Sequence, residues 1–118
     1  MLELTRAEEQ IMQILWDLNG GFVKDLMEHF DEPKPAYTTV STIIRILEKK
    51  KIVGHQAYGR THRYIPLISR EDYASQSANN LIKNYFSGSV EELVSHFVRE
   101  KNISAKELEK ILKKMNEL

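Results

Sequence analysis

A chain of 118 residues is long enough for about one compact domain. Hydrophobic residues make up 42% of it and charged residues 29%, as in ordinary globular proteins, and no apolar run is long enough to span a bilayer. The absence of cysteine excludes disulfides, thiolate metal sites and cysteine nucleophiles. Residues 1–10 include acidic side chains and no long apolar stretch, so we expect no secretory signal and a cytoplasmic location.

The formal net charge of zero conceals a sharp division along the chain. Residues 1–33 contain two basic and eight acidic residues, whereas residues 69–118 contain eight of each. Residues 34–68 contain seven basic residues and one acidic residue, a net charge of +6. Because a local excess of positive charge attracts a polyanion, this middle segment is the candidate for contact with nucleic acid. A solvated surface is the alternative explanation for such a charged run.

Two helices are predicted in the first third of the chain. Thr5 and Glu8 have the spacing of a capping box, in which each side chain accepts a hydrogen bond from the other residue's backbone. Apolar residues then recur at helical spacing over residues 5–18, and the Asn-Gly-Gly of 19–21 ends the helix. A shorter helix is predicted over residues 23–30. The apolar positions are Ile11, Ile14, Leu15 and Leu18 in the first helix, and Val23, Leu26, Met27 and Phe30 in the second.

A third helix is predicted from about Thr38 to Lys51, after a loop that contains two prolines. Its apolar face carries Val40, Ile43, Ile44 and Leu47, and its opposite face is polar, mostly short and free of acidic groups. Lysines in its last turn either contact phosphate or stabilise the negative end of the helix dipole, and both roles stay open. Tyr37, just before it, either orients this helix or packs in the core. The polar face contains Thr38, Ser41, Thr42, Arg45 and Lys49.

Two strands are predicted next, over residues 52–57 and 61–65, joined by a turn whose tip is Gly59-Arg60. Three short helices followed by a hairpin are the order of a winged helix-turn-helix, in which the third helix enters the major groove and the hairpin is the wing. We expect Arg60 to contact the DNA backbone or the minor groove. Arg63 and its neighbour Tyr64 face opposite sides of their strand, so one supports the wing while the other reaches phosphate.

His55 and His62 are placed to face each other across this hairpin. A pair of histidines without a carboxylate is more often a surface feature than a metal site, so we expect neither a metal nor another cofactor.

The last fifty residues are helical in pattern, with helices predicted over 69–86, 89–101 and 104–117. Ser89 and Ser104 each stand three residues before a glutamate, the spacing of a capping box. Three helices of this length cannot cover their own apolar surface, so we expect a homodimer built on this region. The candidate dimerisation residues are Leu81, Tyr85, Leu93, Phe97, Leu108, Ile111 and Leu112.

The sequence therefore predicts a mostly α protein with a small β-hairpin. A winged helix-turn-helix DNA-binding domain over 1–68 is followed by a three-helix dimerisation region over 69–118. We expect no enzymatic activity, because no nucleophile elbow, zinc-protease motif or phosphate loop occurs. A winged-helix module for protein–protein contact is the alternative, at which the exposed position of Ile46 on the third helix hints. The candidate DNA-binding residues are Thr38, Thr39, Ser41, Thr42, Arg45, Lys49, Arg60 and Arg63.

Six short motifs occur in order along nearly the whole chain. They are LTRAE at 4–8, IMQILW at 11–16, AYTTV at 36–40, GR-T-HRY at 59–64, SREDY at 69–73 and GSV at 88–90. Together they resemble the penicillinase-repressor family of the BlaI/MecI type. The resemblance implies a homodimeric transcriptional repressor that binds palindromic operators and regulates antibiotic resistance.

The resemblance also implies a mechanism of release. In the family, a membrane sensor that is itself a metalloprotease triggers cleavage of an Asn-Phe bond in the second helix after the wing. This sequence has His96 and Phe97 at the corresponding place, which makes them the candidate cleavage site. A sister branch senses copper through cysteines near its C-terminus, and the absence of cysteine excludes that mode here.

Overall fold

The computed structural model describes residues 3–116, which form six helices and one hairpin in the predicted order. The predicted fold class, mostly α with a small antiparallel hairpin and a winged helix-turn-helix, is confirmed. The elements are α1 (Arg6–Leu18), α2 (Val23–Met27), α3 (Tyr37–Lys49), β1 (Val53–Tyr58), β2 (Thr61–Pro66), α4 (Arg70–Tyr85), α5 (Val90–Glu100) and α6 (Ala105–Asn116).

Two compact units divide the chain after Ser77, inside α4. The first unit therefore includes the start of α4 as well as the winged helix. Within this unit the start of α4 contacts α1, where the ring centroids of Trp16 and Tyr73 are 5.8 Å apart. The functional division into residues 1–68 and 69–118 stays a prediction.

Helix α1 begins and ends through the local signals predicted for it. Thr5 Oγ1 accepts a hydrogen bond from the Glu8 backbone N–H at 3.1 Å, and Glu8 Oε1 accepts one from the Thr5 N–H at 2.9 Å, which completes the capping box. Asn19 then adopts a left-handed conformation (φ 56°), and Gly20 follows at φ 105°. A side chain at Gly20 would lie 2.9 Å from the Tyr64 carbonyl oxygen, so only glycine fits where α1 meets the hairpin.

Helices α2 and α3 are both shorter than predicted at their C-terminal ends. After α2, the Glu28 N–H donates to the Asp25 carbonyl and the His29 N–H to the Leu26 carbonyl, so tighter i→i+3 bonds close the helix at Met27. After α3, Lys51 adopts a left-handed conformation (φ 64°), and the Ile52 N–H donates back to the Leu47 carbonyl at 3.0 Å. This ending resembles the common left-handed helix C-cap and fixes the start of the hairpin.

The hairpin gains a third, one-residue strand from the segment after α1. Its two strands pair from Val53↔Pro66 to Tyr58↔Thr61, and Gly21 bridges Tyr64 through a pair of backbone hydrogen bonds of 2.9 and 2.8 Å. The side chain of Tyr64 is buried, so this pairing ties the base of the wing to the core. The core of the winged helix consists of Ile11, Met12, Leu15, Val23, Leu26, Val40, Ile44, Leu47, Ile52, Val53 and Tyr64.

One charged residue lies inside this unit. The side chain of Glu8 is 5% exposed and accepts hydrogen bonds from Lys50 Nζ at 3.2 and 2.9 Å. This ion pair joins the first turn of α1 to the end of α3 across 42 residues of sequence. Burial alone raises the pKa of Glu8, but hydrogen bonds from the Thr5 backbone and from Lys50 outweigh burial and hold this pKa below its ordinary value.

Replacing Glu8 with glutamine is expected to lower the free energy of unfolding by about 1–3 kcal/mol near neutral pH, because the amide cannot pair with the Lys50 ammonium. Since the folded-state pKa of Glu8 is depressed, its contribution is fully present above pH 4.5 and is lost as the pH falls through the folded-state value. Urea unfolding of both proteins across this range should show their difference shrinking as the pH falls. The exposed neighbour provides the control, Glu9→Gln, and an equal effect of the two substitutions would contradict this prediction.

Among the described residues of α4, α5 and α6, none is buried. The serine N-caps form: Ser69, Ser89 and Ser104 accept from the backbone N–H three residues later at 3.0, 3.2 and 3.1 Å. The capping boxes predicted at Ser89 and Ser104 are wrong in their second half, because in the described part of the chain neither glutamate side chain returns a bond. The large exposed apolar side chains of these helices are Leu81, Tyr85, Val90, Val94, Phe97, Ile111 and Leu112.

Candidate nucleic-acid interface

Helix α3 separates its residues into a buried and a solvent-facing side. Val40, Ile44 and Leu47 are at most 1% exposed and hold the helix on the core. Four of the five residues predicted for its polar face are exposed, and Ser41, at the margin of that face, is half-buried. A helix held by three buried aliphatic side chains has a fixed direction, so its outward side chains form a preformed surface. The four exposed residues are Thr38, Thr42, Arg45 and Lys49.

The hydroxyl of Thr42 is already engaged by its own helix. It donates to the Thr38 carbonyl oxygen at 2.8 Å, one helical turn earlier in the chain. The hydroxyl oxygen can therefore still accept a hydrogen bond, and Thr42 as a whole is exposed to solvent. This leaves Thr42 equipped for apolar contact with a thymine methyl or for accepting from a base amino group.

Thr39 is exposed but lies on a different side of α3 from the other candidates. At about 100° per residue, Thr39 is displaced by about a quarter turn from Thr38 and lies beside Ile46. Ile46 is 44% exposed, yet its helix neighbours on the outward face are polar. The structure therefore separates Thr39 from the set that contains Arg45. Ile46 and Tyr37 are the large apolar side chains of α3 that are exposed, and they lie about half a turn apart around the helix, so they do not form one apolar face.

A groove runs between α3, the hairpin and the start of α2. Ser41 and Arg45 line it from α3, and Arg60 and His62 line it from the hairpin. Tyr37, 57% exposed, lines the same groove, so the interpretation of Tyr37 as a core residue is wrong. Two arginines on facing walls give the groove a positive lining that suits a phosphate chain. We name this surface the α3–wing groove; its lining also includes Phe22, Val23, Lys24, Asp25, Thr61 and Tyr64.

Arg60 stands at the free tip of the hairpin. Gly59 precedes it with φ 62° and has no atom within 4 Å of the place where a side chain would begin. Thr61 Oγ1 donates to the Tyr58 carbonyl at 2.8 Å and closes the turn. The tip is thus held by its backbone while the Arg60 side chain is exposed to solvent. In this arrangement the Arg60 side chain can contact either a DNA phosphate or the minor groove of the DNA.

Arg63 and Lys50 both form hydrogen bonds with other residues of the winged helix. Arg63 is half-buried, and its Nη2 donates to the Asn19 carbonyl at 3.0 Å, at the end of α1. Lys50 pairs with Glu8, as described above. Arg63 thus supports the wing, and so does the buried Tyr64, which is bridged to Gly21. The expectation that only one of the two residues supports the wing is wrong. The predicted contact of Arg63 with DNA stays a prediction. In that contact, the guanidinium of Arg63 would keep its hydrogen bond to the Asn19 carbonyl.

His55 and His62 do meet on the hairpin. Their rings stack with centroids 4.0 Å apart and planes 8° apart, and His55 Nδ1 is hydrogen-bonded to the Glu48 carboxylate. The sequence placed this pair without a carboxylate; the carboxylate comes from the end of α3. Within residues 3–116, no group of three or more such side chains is placed to hold a metal ion. The bond instead links the end of α3 to the wing.

Tyr37 and His62 are among the groove residues that sequence reasoning missed. For His62 the available signal was the period-two alternation of β2, which puts it on the same side as the buried Tyr64. For Tyr37 the signal was its position one residue before the polar face of α3. Neither signal identifies which residues face each other across the groove, because the α3 wall and the hairpin wall are fifteen or more positions apart in sequence.

The fold and this surface define a class: a winged-helix protein with a polar outward α3 and a basic wing. A family model described as penicillinase repressor matches residues 4–117. The chain belongs to that family, whose members are transcriptional repressors and not enzymes. The resemblance found in the sequence motifs is confirmed, and family membership makes DNA the partner of this chain.

Two relatives match over most of their length, and one solved structure is similar over a smaller share of its chain. The methicillin resistance regulatory protein MecI of Staphylococcus aureus (strain N315) is 24% identical over 115 residues, covering 97% of this chain and 94% of MecI. The transcriptional regulator BlaI of Mycobacterium tuberculosis (strain H37Rv) is 31% identical over 124 residues, covering all of this chain and 88% of BlaI. A solved structure of Bordetella bronchiseptica BpsR covers 98% of this chain and 77% of that chain at 17% identity and a TM-score of 0.47.

No helix among residues 3–116 is long and apolar enough to cross a membrane.

Proposed function

We propose that this protein is a homodimeric repressor that binds palindromic operators, with one α3 in the major groove of each half-site. The observation that carries the proposal is the outward face of α3, which is exposed, non-acidic and open to a groove lined by two arginines. A helix-turn-helix protein places its second, recognition helix in this way, and a dimer places two of them about one turn of DNA apart.

The proposed roles of the surface residues follow from the position and length of their side chains. Thr38, Thr42 and Arg45 share the outward face of α3, where side chains meet base edges. Lys49, in the last turn, and Arg60, at the wing tip, are long flexible cations suited to phosphate or to a narrow minor groove. We assign base discrimination to the first set and positioning on the backbone to the second. Thr39, Ser41 and Arg63 stay predicted contacts at the margins of this footprint.

The dimer is proposed from the apolar side chains of α4, α5 and α6. Tyr85 is 77% exposed, and Phe97, Ile111 and Leu112 are 45%, 47% and 52% exposed. Leu93 and Leu108 are only half-buried. Large apolar side chains exposed in this number mark a candidate interaction site, and closed two-fold symmetry is the commonest way in which such side chains are covered. A second copy of the chain supplies the matching face.

We further propose that repression ends when a membrane sensor metalloprotease causes cleavage near His96 and Phe97. Support comes from the family and from position: both residues lie in α5, on the same helix as Leu93, so a cut there divides the proposed interface. The name of one relative refers to methicillin resistance, which supports an antibiotic as the signal.

The proposed division of labour on DNA predicts two different losses of binding. Arg45→Ala should remove about 1–3 kcal/mol of discrimination at specific operator positions and leave binding to random DNA nearly unchanged. Arg60→Ala should weaken operator and random DNA alike. With two phosphate contacts in each subunit, log K against log salt should have a slope near −4, and Arg60→Ala should reduce its magnitude by about 2. Fluorescence-anisotropy titrations at several salt concentrations measure both effects.

Lys106→Ala, an exposed cation of α6, is the matched control for loss of one charge, and it should change neither the slope nor the discrimination. Equal losses on operator and random DNA for Arg45→Ala would show that Arg45 only contacts the backbone. A slope unchanged by Arg60→Ala would remove the wing tip from the footprint. No gain of operator over random DNA in the unaltered protein would overturn the proposed function itself.

A further inference from the structure

A cluster of side chains fastens the start of α4 to the second half of α1, inside the first compact unit. Trp16 Nε1 donates to the Ile68 carbonyl oxygen at 2.9 Å, across 52 residues of sequence. Ile68 in turn packs against the core. The backbone is therefore fixed two residues before α4 begins.

Two residues of the first turn of α4 then contact the same tryptophan. The guanidinium carbon of Arg70 lies 5.6 Å from the centre of the Trp16 ring, and the Tyr73 ring is 5.8 Å from it, centre to centre. Arg70 Nη2 also donates to Asp17 Oδ1 at 2.6 Å. Arg70 and Tyr73 are three residues apart, so they share one face of the helix. We name Trp16, Asp17, Ile68, Arg70 and Tyr73 the α1–α4 joint.

Contacts at the backbone before the helix and on one face of its first turn fix the direction of a helix axis. Their contribution to stability is small by comparison. The Arg70–Asp17 pair is exposed on both sides, and the same exposed Arg70 makes the cation–π contact, so solvent weakens both interactions. Neither Arg70 nor Tyr73 belongs to the buried core of the unit. The joint therefore orients α4 more than it stabilises the fold.

We propose that the α1–α4 joint is a positioning element that sets the half-site spacing which the repressor accepts. The inference rests on the proposed function, a dimer formed through α4, α5 and α6. Helix α4 is unbroken from Arg70 to Tyr85, so it continues past the end of the first unit. A helix of 16 residues is about 24 Å long, and a change of about 10° in its direction moves its far end by about 4 Å. That displacement exceeds the rise of about 3.4 Å between base pairs.

The variant Arg70→Ala/Tyr73→Ala opens the joint and retains the sole tryptophan of the chain as a reporter. Acrylamide quenching of Trp16 fluorescence should rise about two-fold, and the circular-dichroism spectrum should be unchanged. The DNA probes are duplexes that carry two copies of a half-site selected from a random pool by the unaltered protein, with the spacing varied one base pair at a time. The unaltered protein should prefer one spacing by ten-fold or more. The variant should accept spacings on either side with less than a three-fold difference.

A duplex with a single half-site separates positioning from general damage, because the variant should bind it as the unaltered protein does. Glu71→Ala, in the same turn but outside the joint, should retain the spacing preference. An unchanged preference in Arg70→Ala/Tyr73→Ala, or an equal loss on single and paired half-sites, overturns the inference alone. An unaltered protein that sediments as a monomer and gains nothing from a second half-site overturns the proposed function, and this inference with it.

Discussion

Phe97→Asp is expected to yield a monomer at micromolar concentration that has lost at least 100-fold in operator affinity. In the isolated chain Phe97 is 45% exposed, so an aspartate there is compatible with the fold of the chain itself. In the proposed dimer the same position is covered by the partner, and an unpaired carboxylate at an apolar interface costs several kcal/mol. Each 1.4 kcal/mol is a factor of ten in the association constant.

The loss of operator affinity follows from the loss of the second half-site. A monomer keeps half of the phosphate contacts, so the slope of log K against log salt should also halve. It further loses the local concentration, in the millimolar range, that one bound subunit provides for the other. These two effects act on the operator, whereas binding of one subunit to one half-site should be retained.

Sedimentation velocity and operator titration of the same samples measure both consequences. Phe97→Leu is the control, because it keeps an apolar side chain and should remain dimeric with nearly unchanged affinity. A stable monomer of the unaltered protein at micromolar concentration would contradict the proposed dimer. A Phe97→Asp protein that remains dimeric would place the interface elsewhere on the chain.

Element order was predictable from sequence because each boundary has its own local signal. The capping box at Thr5 and the left-handed Asn19 define α1, and Gly59 defines the turn of the hairpin. Such signals depend on residues within one or two turns of each other. They indicate where an element begins and ends, and they do not depend on what the element packs against.

The buried face of α1 was predicted less accurately than its ends, because the packing of the neighbouring elements decides which face of a helix is buried. The apolar pattern suggested Ile11, Ile14, Leu15 and Leu18, yet the buried set is Glu8, Ile11, Met12 and Leu15. The buried set has the same i, i+3, i+4, i+7 spacing but begins one turn earlier, at a charged residue. Glu8 is tolerated there only because Lys50 comes from the end of α3, and local pattern contains no information about such a partner.

The candidate DNA-binding site likewise contains residues that could be predicted from sequence and residues that could not. The outward face of α3 was predictable, since the burial of Val40, Ile44 and Leu47 follows from their spacing. The position of Arg63 was not, because its partner, the Asn19 carbonyl, is 44 residues distant. The facing of Arg45 and Arg60 across the groove likewise depends on how the hairpin packs. The sequence therefore identified single residues of the site, and the structure was needed to group them.

Cleavage between His96 and Phe97 is expected to abolish repression by dividing the dimerisation surface. A chain that ends at His96 retains Leu81, Tyr85 and Leu93 but loses four of the proposed interface residues, which lie after the cut. Less apolar area remains to be buried, so the dimer should weaken by at least 100-fold and operator binding should fall with it. The lost residues are Phe97, Leu108, Ile111 and Leu112.

The cut should depend on an activated protease or on local opening of α5. The bond lies in the middle of a helix (Val90–Glu100), and a protease must bind its substrate in an extended form, so the helix has to unwind around His96 first. His96 packs at 5.5 Å, centre to centre, against the ring of Phe86, and this contact opposes unwinding. Slow cleavage of the free protein and rapid cleavage in cells that receive the signal are therefore the expected pattern.

Intact-mass spectrometry of the repressor from cells grown with and without penicillin tests this mechanism directly. Treated cells should contain fragments that end at His96 and begin at Phe97, and transcription of the target genes should rise as they accumulate. His96→Asn restores the Asn-Phe pair of the family motif and should be cut faster, whereas a Lys106→Ala control should be cut at the original rate. An intact repressor in cells whose target genes are switched on would overturn cleavage as the release step, because the dimer would then have left its operator with its interface whole.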